Sequence, residues 1–335
     1  MYRIFFFLIV TFLCLETKKA NAQKNAENIN KYYYLQLGKY FFDNNDYQNA
    51  WHLYMKVQET DADIFLYDDY VNISKCAYHL GKYKKCDYYL SKSISKGLEI
   101  ENIKDDSLLN FYTTNKKNKS IINYQQLREQ YQAKLNIKVC SKITYLFNLD
   151  QMLREQDDDT RFAFIDQDCK DKFFIGIDSS YIYDEIFALI SSKEFLHQNI
   201  GRFNEELVVL LRHQSYYEYN FHQIEPILKK IVLFKTIQTE HLAFILDGYY
   251  LRKNNDKQVY GTQFVKYKPQ IIFQEFININ EVDEKRLECG LIPLNLKYPK
   301  NRCQLPQGYK PQFDINSFIK HINNNNSNGA NNIFR

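Results

Sequence analysis

A histidine and an aspartate on separate apolar helices are the residues of this sequence best suited to act together in chemistry. His213 follows Leu210 and Leu211 at the edge of an apolar stripe, and Asp247 follows Leu246 on a later helix. A carboxylate beside an imidazole selects its tautomer and raises its basicity, as a general base requires. The same pair also suits binding of a polar ligand, or a buried network that only ties helices together.

A second group of polar side chains follows within the next forty residues or so of the chain. Alternating apolar residues predict strands over 259–267 and 270–277, joined by a turn at Lys268 and Pro269. Hydroxyl and amide groups on such a strand would polarise a substrate or bind a ligand. The candidate ligand-binding residues are Gln258, Tyr260, Thr262, Gln263 and Arg286. Gly261 has a second interpretation, as a backbone position that packs closely against a helix.

The motif that contains these residues resembles an uncharacterised bacterial domain family with a Q-x-Y-G-T-Q signature and a downstream R-x-x-x-G-L-x-P-L. Here the segments are 258–263 and 286–294. The resemblance covers about 150–295 and implies a helical bundle in which His213 and Asp247 occupy family positions. Gly201 corresponds to a glycine between two helices, and Asp150-Gln151-x-x-Arg154 approximates the family's D-Q-x-x-R. Gly248 stands where the family commonly has Arg, and no activity is implied by the resemblance.

Several amphipathic helices are predicted around this motif. Apolar residues recur at helical spacing over 183–191, 204–217 and 223–234, with Pro226 expected in a first turn. Another helix is predicted after Thr239, and a short one from Asp283 to Gly290. From about residue 323 the Asn-rich chain is expected to be disordered.

The N-terminal third shows a repeat with a spacing of 36 residues. Tyr47 aligns with Tyr83, Ala50 with Cys86 and Tyr54 with Leu90. This pattern of small and large residues resembles the tetratricopeptide repeat, in which two helices pack as a hairpin. Turns are expected at 44–46 and 81–82, and helices over 107–147 as a capping layer. Such repeats suit a concave surface for a partner peptide, or a spacer.

Charge and cysteine content exclude several classes of protein. The net charge of +4 comes from interspersed charges of both signs, which argues against nucleic-acid binding. The seven cysteines include no C-x-x-C pair, and no His or Cys spacing matches a metal site, so neither a metal nor a cofactor is expected. Cys289 and Cys303 would pair only in an oxidising compartment; burial as small hydrophobic side chains is the alternative.

The first 22 residues have the pattern of an export signal. Arg3 precedes an apolar run over 4–15, which is too short to span a bilayer, and Ala20-Asn21-Ala22 offers a cleavage site. An uncleaved membrane anchor is the alternative. A chain with this leader is expected to act outside the cytoplasm, in the periplasm or the extracellular space.

These patterns together predict a mostly α protein, in which tetratricopeptide-like hairpins precede an α+β domain with a helical bundle and a C-terminal β-hairpin. The expected boundaries are 1–22, signal peptide; 23–106, repeats; 107–149, connecting helices; 150–300, the Y-G-T-Q domain; and 301–335, a tail. We expect an exported cell-envelope binding or scaffolding protein with a protein or peptide partner. The alternative is a hydrolase that uses His213 and Asp247 with Tyr260 and Gln263.

Overall fold

The computed structural model describes residues 30–114, 123–155, 179–192, 195, 200–214, 218–233, 235–254, 256–267, 270–298 and 304–328. The described chain is mostly helical with a small β part, which confirms the expected fold class. The leader predicted over 1–22 and Cys303 lie outside the described residues.

The helices are numbered in chain order. They are α1 (30–43), α2 (Tyr47–Asp61), α3 (Tyr67–His79), α4 (Tyr83–Ile94), α5 (Ile100–Asp105), α6 (Ser107–Thr114), α7 (Tyr124–Lys134), α8 (Ile137–Glu155), α9 (Ser179–Ser191), α10 (Asn204–Gln214), α11 (Glu218–Leu233), α12 (Thr239–Lys253), α13 (Val282–Glu288), α14 (Leu294–Lys297) and α15 (Ile315–Asn328). Short 3₁₀ helices cover Ala62–Ile64 and Gly201–Phe203. The strands are β1 (Lys257–Gln258), β2 (Phe264–Tyr267), β3 (Gln270–Phe273) and β4 (Glu275–Phe276).

The chain divides into two compact units that differ from the domain boundaries expected from the sequence. The terminal unit contains residues up to 62 and from 259 onward, and the central unit contains 63–258. The expected repeat module and Y-G-T-Q domain are therefore each divided between the two units. The physical reason lies in α1, where Gln36 Nε2 donates to the Gly290 carbonyl at 2.8 Å, and Gln36 Oε1 accepts from the Ile292 N–H at 3.1 Å.

The first hairpin of the terminal unit has the expected turn and packing. Asp46 caps α2 by accepting from the Asn49 N–H at 3.1 Å, and Ala50 and Tyr54 are fully buried. A Cβ on Gly38 would lie 2.9 Å from the Tyr54 ring, so only glycine lets α1 approach α2 here. Close packing of the small residue Gly38 against the large residue Tyr54 thus holds the two helices of this hairpin together.

The C-terminal part of the terminal unit contains the expected β-hairpin and an unexpected helix. β2 and β3 pair antiparallel, with Phe264 opposite Phe273. The expectation of disorder from about 323 is wrong for 323–328, because α15 continues to Asn328, and residues 329–335 lie outside the described part of the chain. Asp314 and Ser317 cap its first turn reciprocally at 2.8 and 2.9 Å, and Phe318 and Ile322 bury one face of the helix.

The second hairpin, α3 and α4, opens the central unit. It turns at Gly81, which has a φ of +69°, and it buries Ala77, Cys86 and Leu90 as the sequence alignment predicts. Asp106 then caps α6 through the N–H groups of Leu108 and Leu109 at 3.2 and 3.0 Å. Both hairpins form, while their relation as tetratricopeptide repeats stays a prediction.

The rest of the central unit is a helical bundle. Helix α10 packs against α8 and α12, and α8 also packs against α9. Leu207, Leu210 and Leu211 on α10 are buried at these contacts. Helix α11 begins at Glu218, so Pro226 lies inside it rather than in its first turn as expected.

No helix among the residues described here has the length and apolar character needed to cross a membrane.

Candidate functional site

His213 contacts a carboxylate that sequence reasoning did not select, that of Asp150. Its Nδ1 lies 2.5 Å from Oδ2 of Asp150, near the C-terminal end of α8. The His213 side chain is 12% exposed and that of Asp150 is 4% exposed. A carboxylate at Nδ1 favours the tautomer with the proton on that nitrogen, which leaves Nε2 as the basic atom.

The neighbour of Asp150 in the chain strengthens this arrangement. Gln151 Nε2 donates to the same Oδ2 atom of Asp150 at 3.2 Å. Both residues belong to the Asp150-Gln151-x-x-Arg154 element, which the sequence analysis noted only as an approximate match. That element, read together with His213, was the signal that could have identified the pair.

The other two central-unit candidates are buried. Asp247 lies on α12 and Gln258 on β1, and neither side chain has measurable exposure to solvent. Tyr260, Thr262, Gln263 and Arg286 belong to the terminal unit, so the candidate residues are divided between the two units. The described contacts bring together His213 and Asp150 in one unit, and Arg286 and Tyr260 in the other.

Arg286 is bonded to the backbone of its own unit. It is 2% exposed, and its guanidinium donates from Nε to the Ile292 carbonyl at 2.7 Å and from Nη1 to the Tyr260 carbonyl at 2.5 Å. These bonds join the Y-G-T-Q segment to the downstream motif. They support a structural role for Arg286 beside the expected ligand-binding one.

The downstream motif ends helix α13, and the nearby Asp283 supplies an acceptor for the first N–H of helix α14. Gly290, at a φ of +75°, ends α13: its N–H donates to the Leu287 carbonyl, and the Leu291 N–H donates to the Arg286 carbonyl at 2.8 Å. Asp283 accepts from the Leu294 N–H and from the Tyr309 hydroxyl, both at 2.8 Å. Burial and the Asp283 carboxylate raise the pKa of Tyr309 well above its usual value, so its hydroxyl stays a donor.

The Y-G-T-Q segment is a bend, which corrects the expectation that a strand carries it. Strand β2 begins only at Phe264, and Gly261 has a φ of +71°. A Cβ on Gly261 would lie 2.7 Å from Leu294 and 3.0 Å from Phe276. Glycine is required here for both backbone conformation and close packing, as the second interpretation proposed.

A groove in the central unit has the features of a binding surface. It has a volume of about 880 Å³ and is lined by residues of α7, α8 and the 3₁₀ helix before α10. Its apolar wall includes Ile137, which is 59% exposed, and Tyr145, which is 50% exposed. Its charged side chains are Glu99, Arg128 and Arg202.

The two arginines of this groove share a single carboxylate. Glu99 Oε1 lies 2.7 Å from Arg128 and 2.9 Å from Arg202, so this end of the groove keeps one net positive charge. Arg128 also lies over the Tyr131 ring, 4.9 Å from its centroid. Its Nη1 atom is buried and has no hydrogen-bond acceptor among the residues the structure describes.

Tyr131 lines the groove and packs closely against two glycines, Gly97 and Gly201. Its hydroxyl accepts from the Arg202 N–H at 3.0 Å. A Cβ on Gly201 would lie 2.1 Å from that oxygen and one on Gly97 would lie 2.9 Å from it, and both glycines have positive φ. The close approach of Tyr131 is a physical reason for glycine at the position that the resemblance picked out.

In the described part of the chain, the side chains do not assemble a site for metal binding or for thiol chemistry. No cluster of three or more His, Cys, Asp or Glu residues there could hold a metal ion. The side chains of Cys76, Cys86, Cys140 and Cys289 are buried. Burial raises the pKa of Cys140 to about 11 and that of Cys76 to about 12, so both stay protonated at neutral pH.

Sequence reasoning missed the groove because its residues come from separate segments around 99, 128–148 and 202. Comparisons of the chain with protein-family models, with curated proteins and with solved structures found no match. The likeness to the Y-G-T-Q family therefore remains a resemblance of motifs.

Proposed function

We propose that this chain is an exported binding protein, and that the groove along α7 and α8 holds an apolar, acidic peptide segment of a partner protein. The proposal keeps the interaction role expected from the sequence and moves its surface from the repeat-like hairpins to the connecting helices.

One observation carries the proposal: the buried Nη1 of Arg128 has no acceptor among the described residues. A buried donor without an acceptor costs free energy, which a ligand carboxylate would recover. The net positive charge left by Arg128 and Arg202 around Glu99 favours the same ligand.

The apolar wall supports a peptide rather than a small anion as the occupant. Ile137 and Tyr145 each leave half or more of their side chain exposed. Covering such surface contributes about 25 cal/mol per Å². A groove of about 880 Å³ has room for several side chains.

The test is an array of short peptides that combine apolar residues with aspartate or glutamate, printed beside the same peptides with lysine in place of each acid. The acidic set should bind. Fluorescence polarisation with the best acidic peptide should then show that Arg128→Met weakens binding by at least about tenfold. Ile137→Asp should weaken it as well, through the apolar wall.

Lys138→Met is the matched control, because Lys138 is exposed beside Ile137 and does not line the groove. It should leave the affinity unchanged. Equal binding of the lysine peptides, or unchanged affinity in Arg128→Met, would contradict the proposal.

A second candidate function, a hydrolase centred on His213, is favoured by the short contact between its Nδ1 and Asp150. In this proposal His213 Nε2 removes a proton from water, and Asp150 orients the ring and stabilises the imidazolium. Neither His213 nor Asp247 lines the groove described above. The test is hydrolysis of a panel of nitrophenyl esters, phosphates and glycosides, in which turnover should fall by at least about a hundredfold in His213→Gln.

Export is tested by fractionating cells that express the full chain and sequencing the N-terminus of the product. A mature chain that begins at Gln23 outside the cytoplasm is the expected result. A chain that stays cytoplasmic with its first 22 residues would contradict this part of the proposal.

A further inference from the structure

A small cavity in the central unit gathers positive charge. Its volume is about 120 Å³, and its wall includes Lys96, Arg202 and Lys235 with one carboxylate, Asp63. The Asp63 side chain is 82% exposed and lies 3.8 Å from Lys235 Nζ. Arg202 is also paired with Glu99, at 2.9 Å, and Lys235 lies beside Asp63, so the charge of Lys96 is the one that no ion pair among the described residues compensates.

Lys96 is the cation with the least compensation. It is half-buried, and its ammonium makes no hydrogen bond to any residue that the structure describes. Burial is the largest effect and lowers the pKa of Lys96; the Asp63 carboxylate acts in the opposite direction, and the charges of Lys92, Lys235 and Lys134 lower the pKa further, each by less. The cavity is therefore lined by a cation that an anion would stabilise.

Two helix N-termini contribute to the same wall. Leu66 and Tyr67 begin α3, a helix of 13 residues, and Asn204 begins α10, a helix of 11 residues. The first N–H groups of a helix have no acceptor within it and carry partial positive charge. The Leu66 N–H already donates to Asp69 Oδ2 at 2.8 Å, and the Asn204 N–H donates to the carbonyls of Gly201 and Arg202, so these helix ends contribute partial positive charge but no unused donors there.

The backbone at Lys235 is strained in a way that places a cation here. Lys235 has a φ of +62°, at the position after α11 where glycine is usual. Its N–H donates to the Val232 carbonyl, and the Thr236 N–H donates to the Ile231 carbonyl, both at 2.9 Å. A glycine would relieve this strain, whereas the lysine places its ammonium in the cavity wall beside Asp63.

We propose that this cavity binds a phosphate group, either as inorganic phosphate or as a phosphomonoester. The cavity volume of about 120 Å³ equals that of about four waters, which suits one phosphate group. A phosphate group carries a charge of about −1.5 to −2 at pH 7, so it would be attracted by the cationic side chains of the lining. The site is separate from the proposed use of Arg128, because neither Lys96 nor Lys235 lines the peptide groove.

The test is thermal unfolding and isothermal titration of the 335-residue chain with inorganic phosphate, with O-phosphoserine and with chloride at matched ionic strength. Phosphate or O-phosphoserine should raise the melting temperature, and chloride should not. Binding of phosphate alone would identify the free ion as ligand. Binding of both would identify the phosphomonoester group.

Two variants separate binding from folding. Lys96→Met should weaken phosphate binding by at least about tenfold. Lys235→Gly should also weaken it, while it raises the melting temperature of the unliganded protein through relief of strain. Lys138→Met is the matched control, because Lys138 is exposed and does not line the cavity, and it should bind phosphate as the wild type does.

The proposal is overturned if neither phosphate compound binds above the chloride control. It is equally overturned if Lys96→Met and Lys235→Gly both bind phosphate as tightly as the wild type does. Peptide binding in the groove would survive either result, so the two proposals fail separately.

Discussion

Each unit of this protein contains buried or half-buried cationic side chains, and the hydrogen bonding of these side chains differs between the two units. In the terminal unit the Arg286 guanidinium donates to two backbone carbonyls, at 2.7 and 2.5 Å. In the central unit Arg128 keeps a buried Nη1 atom without an acceptor among the described residues, and Lys96 lines a cavity. A cation with its hydrogen bonds made internally holds the fold, whereas one that lacks them beside a cavity is prepared for a ligand.

The same contrast separates the glycines. Gly81 has a φ of +69° with open space around it, and Gly201 has a φ of +51° with the Tyr131 hydroxyl against it. The first is required by a turn alone, and the second by a turn and by packing that positions the groove.

The largest effect is expected from Arg286→Met. Two hydrogen bonds to a buried charged group contribute about 1.5–3 kcal/mol each, so the free energy of unfolding should fall by about 4 kcal/mol. Urea denaturation measures the loss. Lys285→Met, at a partly exposed neighbouring position, should change stability by less than about 0.5 kcal/mol. A loss below about 1 kcal/mol for Arg286→Met would remove the contrast between the units.

Gly201→Ala should be the next most damaging change. Left-handed backbone costs a non-glycine residue about 1–2 kcal/mol and overpacking costs about 1–3, so a loss of about 3 kcal/mol is expected in urea denaturation. Gly81→Ala should lose only about 1 kcal/mol, because nothing lies within 4 Å of the added methyl group. Tyr131→Phe, which removes the nearest atom, should reduce the cost of Gly201→Ala. Equal losses for the two glycine variants would contradict the assignment of Tyr131.

Asp150→Asn tests the contact between Asp150 and His213, a polar pair within the central unit. Removal of the charge beside His213 should lower the free energy of unfolding by about 2 kcal/mol. Nitrogen NMR should show a shift of the imidazole tautomer away from the Nδ1–H form. Unchanged imidazole signals would mean that Asp150 does not orient His213 in solution.

The smallest effect is expected from Lys96→Met in the absence of phosphate. Because burial lowers the pKa of Lys96, its charged form costs the folded state free energy at neutral pH. The variant should therefore be more stable than the wild type at pH 7, by less than about 1 kcal/mol. The stability of the wild type rises as pH climbs through the lowered pKa toward 10.5, so this advantage should shrink near pH 10 in urea denaturation. A destabilised variant at pH 7 would show that Lys96 serves the fold, as Arg286 does.

Much of the local structure could be predicted from the sequence because local rules govern it. The turn at Gly81, the cap at Asp106 and the helix stop at Gly290 each depend on a few neighbouring residues. Local reasoning was wrong for the tail and for the strand assigned to the Y-G-T-Q segment. Burial of Phe318 outweighed the Asn-rich composition in the first case, and the backbone of Gly261 interrupted the apparent alternation in the second.

The sequence by itself determined the mostly helical fold, the hairpin turns and the motifs that end and cap the C-terminal helices. Only the tertiary structure decided that Asp150 lies on His213, that Gln36 bonds to Gly290, and that Arg128 and Lys96 line cavities. The physical reason is separation along the chain: Asp150 and His213 are 63 residues apart, and Gln36 and Gly290 are 254 apart. Periodicity predicts which face of a helix is buried, while the packing of whole elements selects the partner that meets it.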